Sequence, residues 1–160
     1  MPHENPGEGG GTPARRFRNT RARRIGDAVM RVFIRAGVVP HTYLLHTRGR
    51  RTGRMRTTAA TVVEQDGQKW LVSPYGTVSW VHNARAAGRV TLTRRGERED
   101  YAVREVGATE AGPVLKRYVR IAGATRPYFA ASPDSPVDDF TAEADHHPVF
   151  ELVPESADRA

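Results

Sequence analysis

The 160-residue sequence predicts a mainly β protein with helices, an α+β domain built on an antiparallel, barrel-like sheet with helices on its rim. Three observations carry this reading. Short apolar or β-branched runs recur at 43–45, 57–64, 69–73, 90–93, 101–106 and 149–152. Glycine-bearing turns separate successive runs, at Gly49 and Gly53, at Asp66-Gly67 and at Arg95-Gly96. Two stretches of helical character, 79–87 and 109–121, interrupt the strands.

The chain opens on a Gly- and Pro-rich segment, 1–14, with almost no large apolar side chain. It cannot repay its ordering entropy and is read as a disordered tail. Residues 15–37 are read as a basic amphipathic helical arm. Ile25, Val29, Val32, Phe33 and Ala36 fall on one helical face, Gly37 is placed to cap it, and Pro40 bars continuation. The arm either packs its stripe on the domain or lays its arginines around Phe17 on an anionic lipid surface. The barrel domain runs over 38–154, and residues 155–160 are a C-terminal tail.

Within the barrel, Tyr43-Leu44-Leu45 leads into a turn, and Thr57 to Glu64 returns as a β-branched strand. Asp66-Gly67 joins it to the KWLVS run at 69–73. Ser79 is read as N-cap and Gly88 as C′ of a short helix, SWVHNARAA. Val90 and Leu92 alternate with Thr91 and Thr93 before Arg95-Gly96 turns the chain. Thr109 is read as the cap of the second helix, with Val114, Leu115, Tyr118, Val119 and Ile121 on its apolar side. The Pro-rich stretch 127–136 is read as loop, His146-His147 as part of a polar loop, and Val149, Phe150 and Leu152 as a last strand.

Composition bounds the function. No cysteine is present, so disulfides, thiolate metal sites and cysteine nucleophiles are excluded. No apolar run reaches the roughly 18 residues needed to span a bilayer, and no signal-peptide core follows the N-terminal arginines. The expected location is the cytoplasm, with peripheral contact at the inner face of the cell membrane if residues 15–36 meet lipid. The net charge of +7 hides an asymmetry: residues 1–36 hold eight arginines against three acids, and residues 130–160 hold eight acids against Arg159.

The motif that organises the chain is HTRGRRTGRMRTT, 46–58, with five arginines, two glycines and no acid. A guanidinium fork matches phosphate or carboxylate geometry, so the turn is either an anion cradle between two strands or a solvated basic hairpin tip. A second stretch, Ser73-Pro74-Tyr75-Gly76, runs toward a helix N-terminus, where free N–H groups attract anions. Trp80 and Asn83 share a helix face there. A flat aromatic beside an amide donor suits a planar heterocycle; the alternative is a core tryptophan. No metal cluster, G-x-S-x-G, G-x-G-x-x-G or Walker pattern is present.

Gly49-Arg50-Arg51-Thr52-Gly53 with Arg56-Thr57, then a Gly loop and Trp80-x-x-Asn83, resembles the deazaflavin (F420)-dependent nitroreductase family over about residues 41–154. The resemblance implies a split antiparallel β-barrel, FMN-binding-like, with an N-terminal amphipathic helix that associates with membrane. It implies an F420-dependent oxidoreductase passing a hydride between the reduced coenzyme and a small acceptor: a quinone, enone or nitroaromatic. Arg50, Arg51, Thr52 and Arg56 would hold the phosphate and glutamyl tail, with Thr57, Thr58 and Ala59 lining the site. Ser73, Pro74, Tyr75 and Gly76, and Ser79, Trp80, Val81, His82 and Asn83, would flank tail and ring. Tyr128 would be a proton donor or substrate clamp, unless it is core. Met55 stands where the family commonly has proline, and the tyrosine-rich segment is thinned to Tyr128-Phe129.

Two other functions remain open from sequence. One is a non-catalytic binder of F420, flavin, haem or fatty acid on the same barrel, which would make FMN or haem the bound group. The other is a nucleic-acid-binding protein using the arginine field. Nucleic acid is not the expected partner, because the basic turn lacks interleaved aromatics and any recognisable reading motif. The expected state is monomer or homodimer, with no metal.

Overall fold

The computed structural model describes Arg31 and residues 39–155. The expected tail over 1–14, all of the arm over 15–37 except Arg31, and residues 156–160 lie outside them. Six strands form a closed antiparallel barrel: β1 (Thr42–Arg48), β2 (Met55–Gln65), β3 (Gln68–Val72), β4 (Arg89–Arg94), β5 (Glu97–Glu105) and β6 (Val149–Pro154). The order around the barrel is β1-β2-β3-β6-β5-β4, closed by β4 on β1 through Leu45 opposite Leu92. Closure leaves no open sheet edge.

Both expected hairpins form. Asp66 and Gly67 have φ of 53° and 77°, and Arg95 and Gly96 have 53° and 74°. Two successive residues at positive φ make the tight turn whose twist matches antiparallel strands. The register follows: Gln65 faces Gln68, and Arg94 faces Glu97.

Helix α1 (Ser79–Ala87) links β3 to β4, α2 (Ala108–Ile121) follows β5, and α3 (Val137–Glu143) precedes β6. The caps differ from expectation by one or two residues. Val78, not Ser79, is the N-cap of α1, and Gly107, not Thr109, is that of α2; neither has a side-chain cap bond. The other end of α1 is as expected, with Gly88 left-handed and its N–H on the Ala84 carbonyl at 2.8 Å. Pro113 sits in the second turn of α2, where the missing N–H leaves the Thr109 carbonyl without an intrahelical donor. Helix α3 was not anticipated. Its signals are short: Pro136 before it, Asp138 and Asp139 in its first turn, and one fully buried Phe140.

The core has two parts. Leu45, Val62, Leu71, Leu92, Tyr101 and Phe150 fill the barrel, with Val81 and Ala84 of α1 packed against them. Val63, Trp70, Val72 and Val149 face the other way and pack on α2, α3 and Phe129. So β2 at Val62-Val63, β3 at Trp70-Leu71-Val72 and β6 at Val149-Phe150 are buried on both faces, and there the sequence is continuously apolar. Strand β4 alternates apolar and threonine side chains in sequence, but Thr91 is buried along with Val90 and Leu92. Gly112 brings α2 against α3: a Cβ there would collide with Thr141 Oγ1.

Candidate active site

The arginine turn closes on its own backbone. The Gly49 N–H donates to the Arg54 carbonyl at 2.7 Å, and the Gly53 N–H to the Gly49 carbonyl at 2.8 Å. Gly53 sits at φ 70°, which a side chain would strain. A Cβ at Gly49 would come within 3.0 Å of the Arg54 carbonyl and Thr52 Oγ1. The glycines thus let five arginine side chains crowd one hairpin end. Among the described residues, none of Arg48, Arg50, Arg51, Arg54 and Arg56 forms an ion pair.

Beside the turn opens a cleft of about 920 Å³. Its lining contains no acid. At one end are Arg50, Arg51, Thr52 and Arg56, with Asn83 beside Arg50; Thr57, Thr58 and Ala59 continue along β2, and Pro74, Tyr75, Ser79 and Trp80 complete this part of the lining. The two motifs, about thirty residues apart in sequence, therefore share one cavity. The remaining wall is neutral: Thr42, Thr61, Val72, Tyr118 and Thr125.

Asn83 is buried, at 3% exposure, and it joins helix to turn. Its Oδ1 accepts from the Arg50 N–H and from Arg50 Nη1, both at 3.2 Å, and its Nδ2 donates to Thr47 Oγ1 at 3.3 Å. The amide expected to face a heterocycle is thus engaged with the protein. Trp80 is half-buried, lines the cleft and leans on Phe150 with ring centroids 5.8 Å apart. Core contact and cleft lining coexist in this one side chain.

Four of the residues expected around coenzyme lie off the cleft. Val81 is fully buried in the barrel core, because the helix face that carries Asn83 does not carry it. His82 is exposed on the outside of α1. Ser73 is buried and donates from Oγ to the Gly76 carbonyl at 2.5 Å, so it staples the loop. Gly76, at φ 85°, supplies the turn. Tyr128 does not line the cleft either. It packs edge-on against Tyr75, with ring centroids 4.7 Å apart, and so stands one ring behind the wall.

Tyr118 lines the cleft, a place that the sequence does not reveal. Its position marks it only as the apolar side of a helix, and its ring does pack there on Phe129, centroids 5.8 Å apart. Yet it also lines the cleft beside Thr125, whose Oγ1 is 3.3 Å from its hydroxyl. Burial pushes the Tyr118 pKa up to about 12, so the phenol stays protonated at neutral pH. A tyrosine within a helical stripe carries no sequence signal for this. His147, expected in a polar loop, is instead 4% exposed and bonded on both ring nitrogens. Among the described residues no group of three or more His, Asp or Glu is placed to hold a metal, and no helix is long and apolar enough to cross a membrane.

A closed six-stranded antiparallel barrel with helices around it is the split-barrel fold. The family model for F420H2-dependent quinone reductase matches residues 14–132. The chain belongs to that family and is an F420H2-dependent oxidoreductase. Solved structures share the fold at low identity. One described as a domain-swapped dimer is 20% identical, covers 82% of this chain and 96% of its own, and has a TM-score of 0.53. A protein of unknown function from Agrobacterium tumefaciens is 16% identical over 79% of this chain and 54% of its own, with a TM-score of 0.55. A candidate 5-nitroimidazole antibiotic resistance protein from Bacteroides thetaiotaomicron is 8% identical over 76% and 78%, with a TM-score of 0.51. No curated protein matches the chain.

The residues present fit the coenzyme that the family name implies. An anionic tail needs cations that the protein has not already neutralised, and the arginine turn offers them. A flat ring needs an apolar and aromatic wall, which Val78 and Trp80 offer in the same cleft.

Proposed function

We propose that the cleft holds F420H2 with its anionic tail on the arginine turn and accepts a small neutral oxidant, a quinone in the first place, at the opposite end. Enones and nitroaromatics are the other acceptors of suitable size and chemistry. The observation that carries this reading is one acid-free cleft that runs along β1 and β2 from Thr47 and Arg56, beside the arginine turn, to the neutral hydroxyls of Thr42 and Thr61.

When bound, F420H2 supplies a hydride from C5; the chain's own residues do the rest. Arg50, Arg51 and Arg56 bind the tail through charge-assisted hydrogen bonds. Asn83 holds Arg50 in place for that task. Trp80 sets the position of the ring, and the walls of the cleft exclude water. Tyr118, protonated by virtue of its burial, donates a hydrogen bond to the acceptor oxygen on which negative charge develops. Tyr128, a ring behind Tyr75, supports the wall and does not touch the acceptor.

Titration of the purified protein with F420, FMN and haem, followed by fluorescence and absorbance, tests the reading. Saturable F420 binding that outcompetes FMN and haem is expected. Preference for haem or FMN would make the chain a binder of another group on the same barrel. Steeply salt-dependent DNA binding without coenzyme affinity would favour the arginine field as a nucleic-acid surface.

A further inference from the structure

We propose that the buried pair His147–Glu143 positions the aromatic rim of the cleft, Tyr75 in its wall and Tyr128 packed behind it, and thereby sets how tightly the acceptor is held. The inference rests on the reading of the cleft given above and assigns a role to two residues that do not line it.

The pair sits where two separate chain segments meet. His147 Nδ1 lies 3.0 Å from the Pro74 carbonyl, and Pro74 immediately precedes Tyr75. His147 Nε2 lies 2.9 Å from Glu143 Oε1. The same carboxylate accepts from the Ala130 N–H at 3.2 Å and the Ala131 N–H at 2.8 Å, just beyond Tyr128. The imidazole also stacks on Phe129, centroids 4.0 Å apart and planes 21° apart. One histidine and one carboxylate thus grip the residue beside each rim tyrosine, and the two rings meet edge-on at 4.7 Å.

A carbonyl only accepts, so Nδ1 carries a proton; a second proton lies between Nε2 and Oε1. Burial lowers the His147 pKa, while Glu143 and the Pro74 carbonyl pull the other way. An ionisable pair at 5% and 11% side-chain exposure carries a desolvation cost that apolar packing would avoid. What the pair supplies that apolar packing cannot is direction: four polar contacts fix the loop at Pro74 relative to the segment at 128–131. Tyr75 forms part of the cleft wall, so that fixed geometry reaches the acceptor.

The test uses His147→Leu, Glu143→Leu and Glu143→Gln in the full chain. With menadione as acceptor, both leucine variants are expected to raise KM about fivefold or more, while kcat and F420 affinity stay within twofold of wild type. Glu143→Gln, which still bonds Nε2 and a backbone N–H, is expected to stay near wild type. In coenzyme-free protein, NMR of His147→Leu should shift the ring resonances of Tyr75 and Tyr128 and leave those of Tyr43 in place. Unmoved rim resonances would overturn the positioning role whether or not the coenzyme binds. Moved resonances with an unchanged menadione KM would overturn the link to the acceptor. Loss of F420 affinity in step with KM would reduce the pair to general scaffolding. Failure of wild type to bind F420 strikes the function reading alone, since the NMR arm does not depend on it.

Discussion

Asn83 Oδ1 accepts two hydrogen bonds from Arg50, one from its backbone N–H and one from Nη1, each 3.2 Å long. The amide of a helix residue therefore fixes both the path of the arginine turn and the direction of one of its guanidinium groups. Removing it leaves the Arg50 N–H and Thr47 Oγ1 without that partner in a half-buried place. Asn83→Ala is expected to weaken F420 binding by about 1.5–3 kcal/mol, the scale of a hydrogen bond to a charged group. Trp80→Ala is expected to weaken binding less and to slow menadione reduction about tenfold or more, because ring placement governs rate. Fluorescence titration and single-turnover rates on both variants check the contrast. Equal loss of affinity in the two would remove the distinction.

Arg56 enters β2 at the mouth of the cleft and has no acidic partner among the described residues. Arg56→Ala is expected to cost about 1.5–3 kcal/mol in F420 affinity with the fold intact. The loss should shrink as salt is raised, since the contact is exposed and screened. Isothermal titration at two salt concentrations measures both effects.

Tyr118 and Tyr128 separate the residue at the cleft from the residue behind it. Tyr118→Phe keeps the ring on Phe129 and removes the hydroxyl, so menadione turnover is expected to fall about tenfold with F420 affinity unchanged. Tyr128→Phe is expected to leave turnover within about twofold. Stability supplies an independent check. The folded pKa of Tyr118 is raised from 10.0 to about 12. The unfolded chain therefore releases this proton first, and the stabilisation it gives is complete below pH 10 and lost as pH rises toward 12. Over that window Tyr118→Phe should flatten the fall in unfolding free energy by about 1.4 kcal/mol per pH unit.

The arm over 15–36 carries the lipid expectation. Deletion of residues 1–24 is expected to leave F420 affinity unchanged and to abolish co-sedimentation with anionic vesicles, since each arginine near such a surface is worth about 1 kcal/mol. Full-length protein that ignores the vesicles at low salt would contradict it.

What could be read before the structure divides along physical lines. Asp66-Gly67 and Arg95-Gly96 announced their hairpins because local backbone geometry decides them. The double-sided burial of Val62-Val63 and Leu71-Val72 left its mark as unbroken apolar runs. The arginine turn and the Trp80–Asn83 face were visible as chemistry, and the barrel brings them into one cavity. Asn83's engagement with Arg50 was not visible, since it depends on where a helix meets a turn. Tyr118 and His147 were hidden for the same reason: one looks like a core stripe and the other like a polar loop until α2, α3 and β6 pack. Helix α3 is too short for its spacing to stand out, and it is held by Phe140 and Gly112 rather than by propensity.

This cleft is expected to bind F420H2 and to pass its hydride to a quinone. Stopped-flow mixing of the protein–F420H2 complex with menadione tests it most directly, with return of oxidised-coenzyme fluorescence as the signal. A single-turnover phase is expected whose rate rises and then saturates with menadione, slowed about tenfold in Tyr118→Phe. A protein that binds F420H2 tightly yet shows no coenzyme oxidation with menadione, an enone or a nitroaromatic would contradict it and leave a non-catalytic binder.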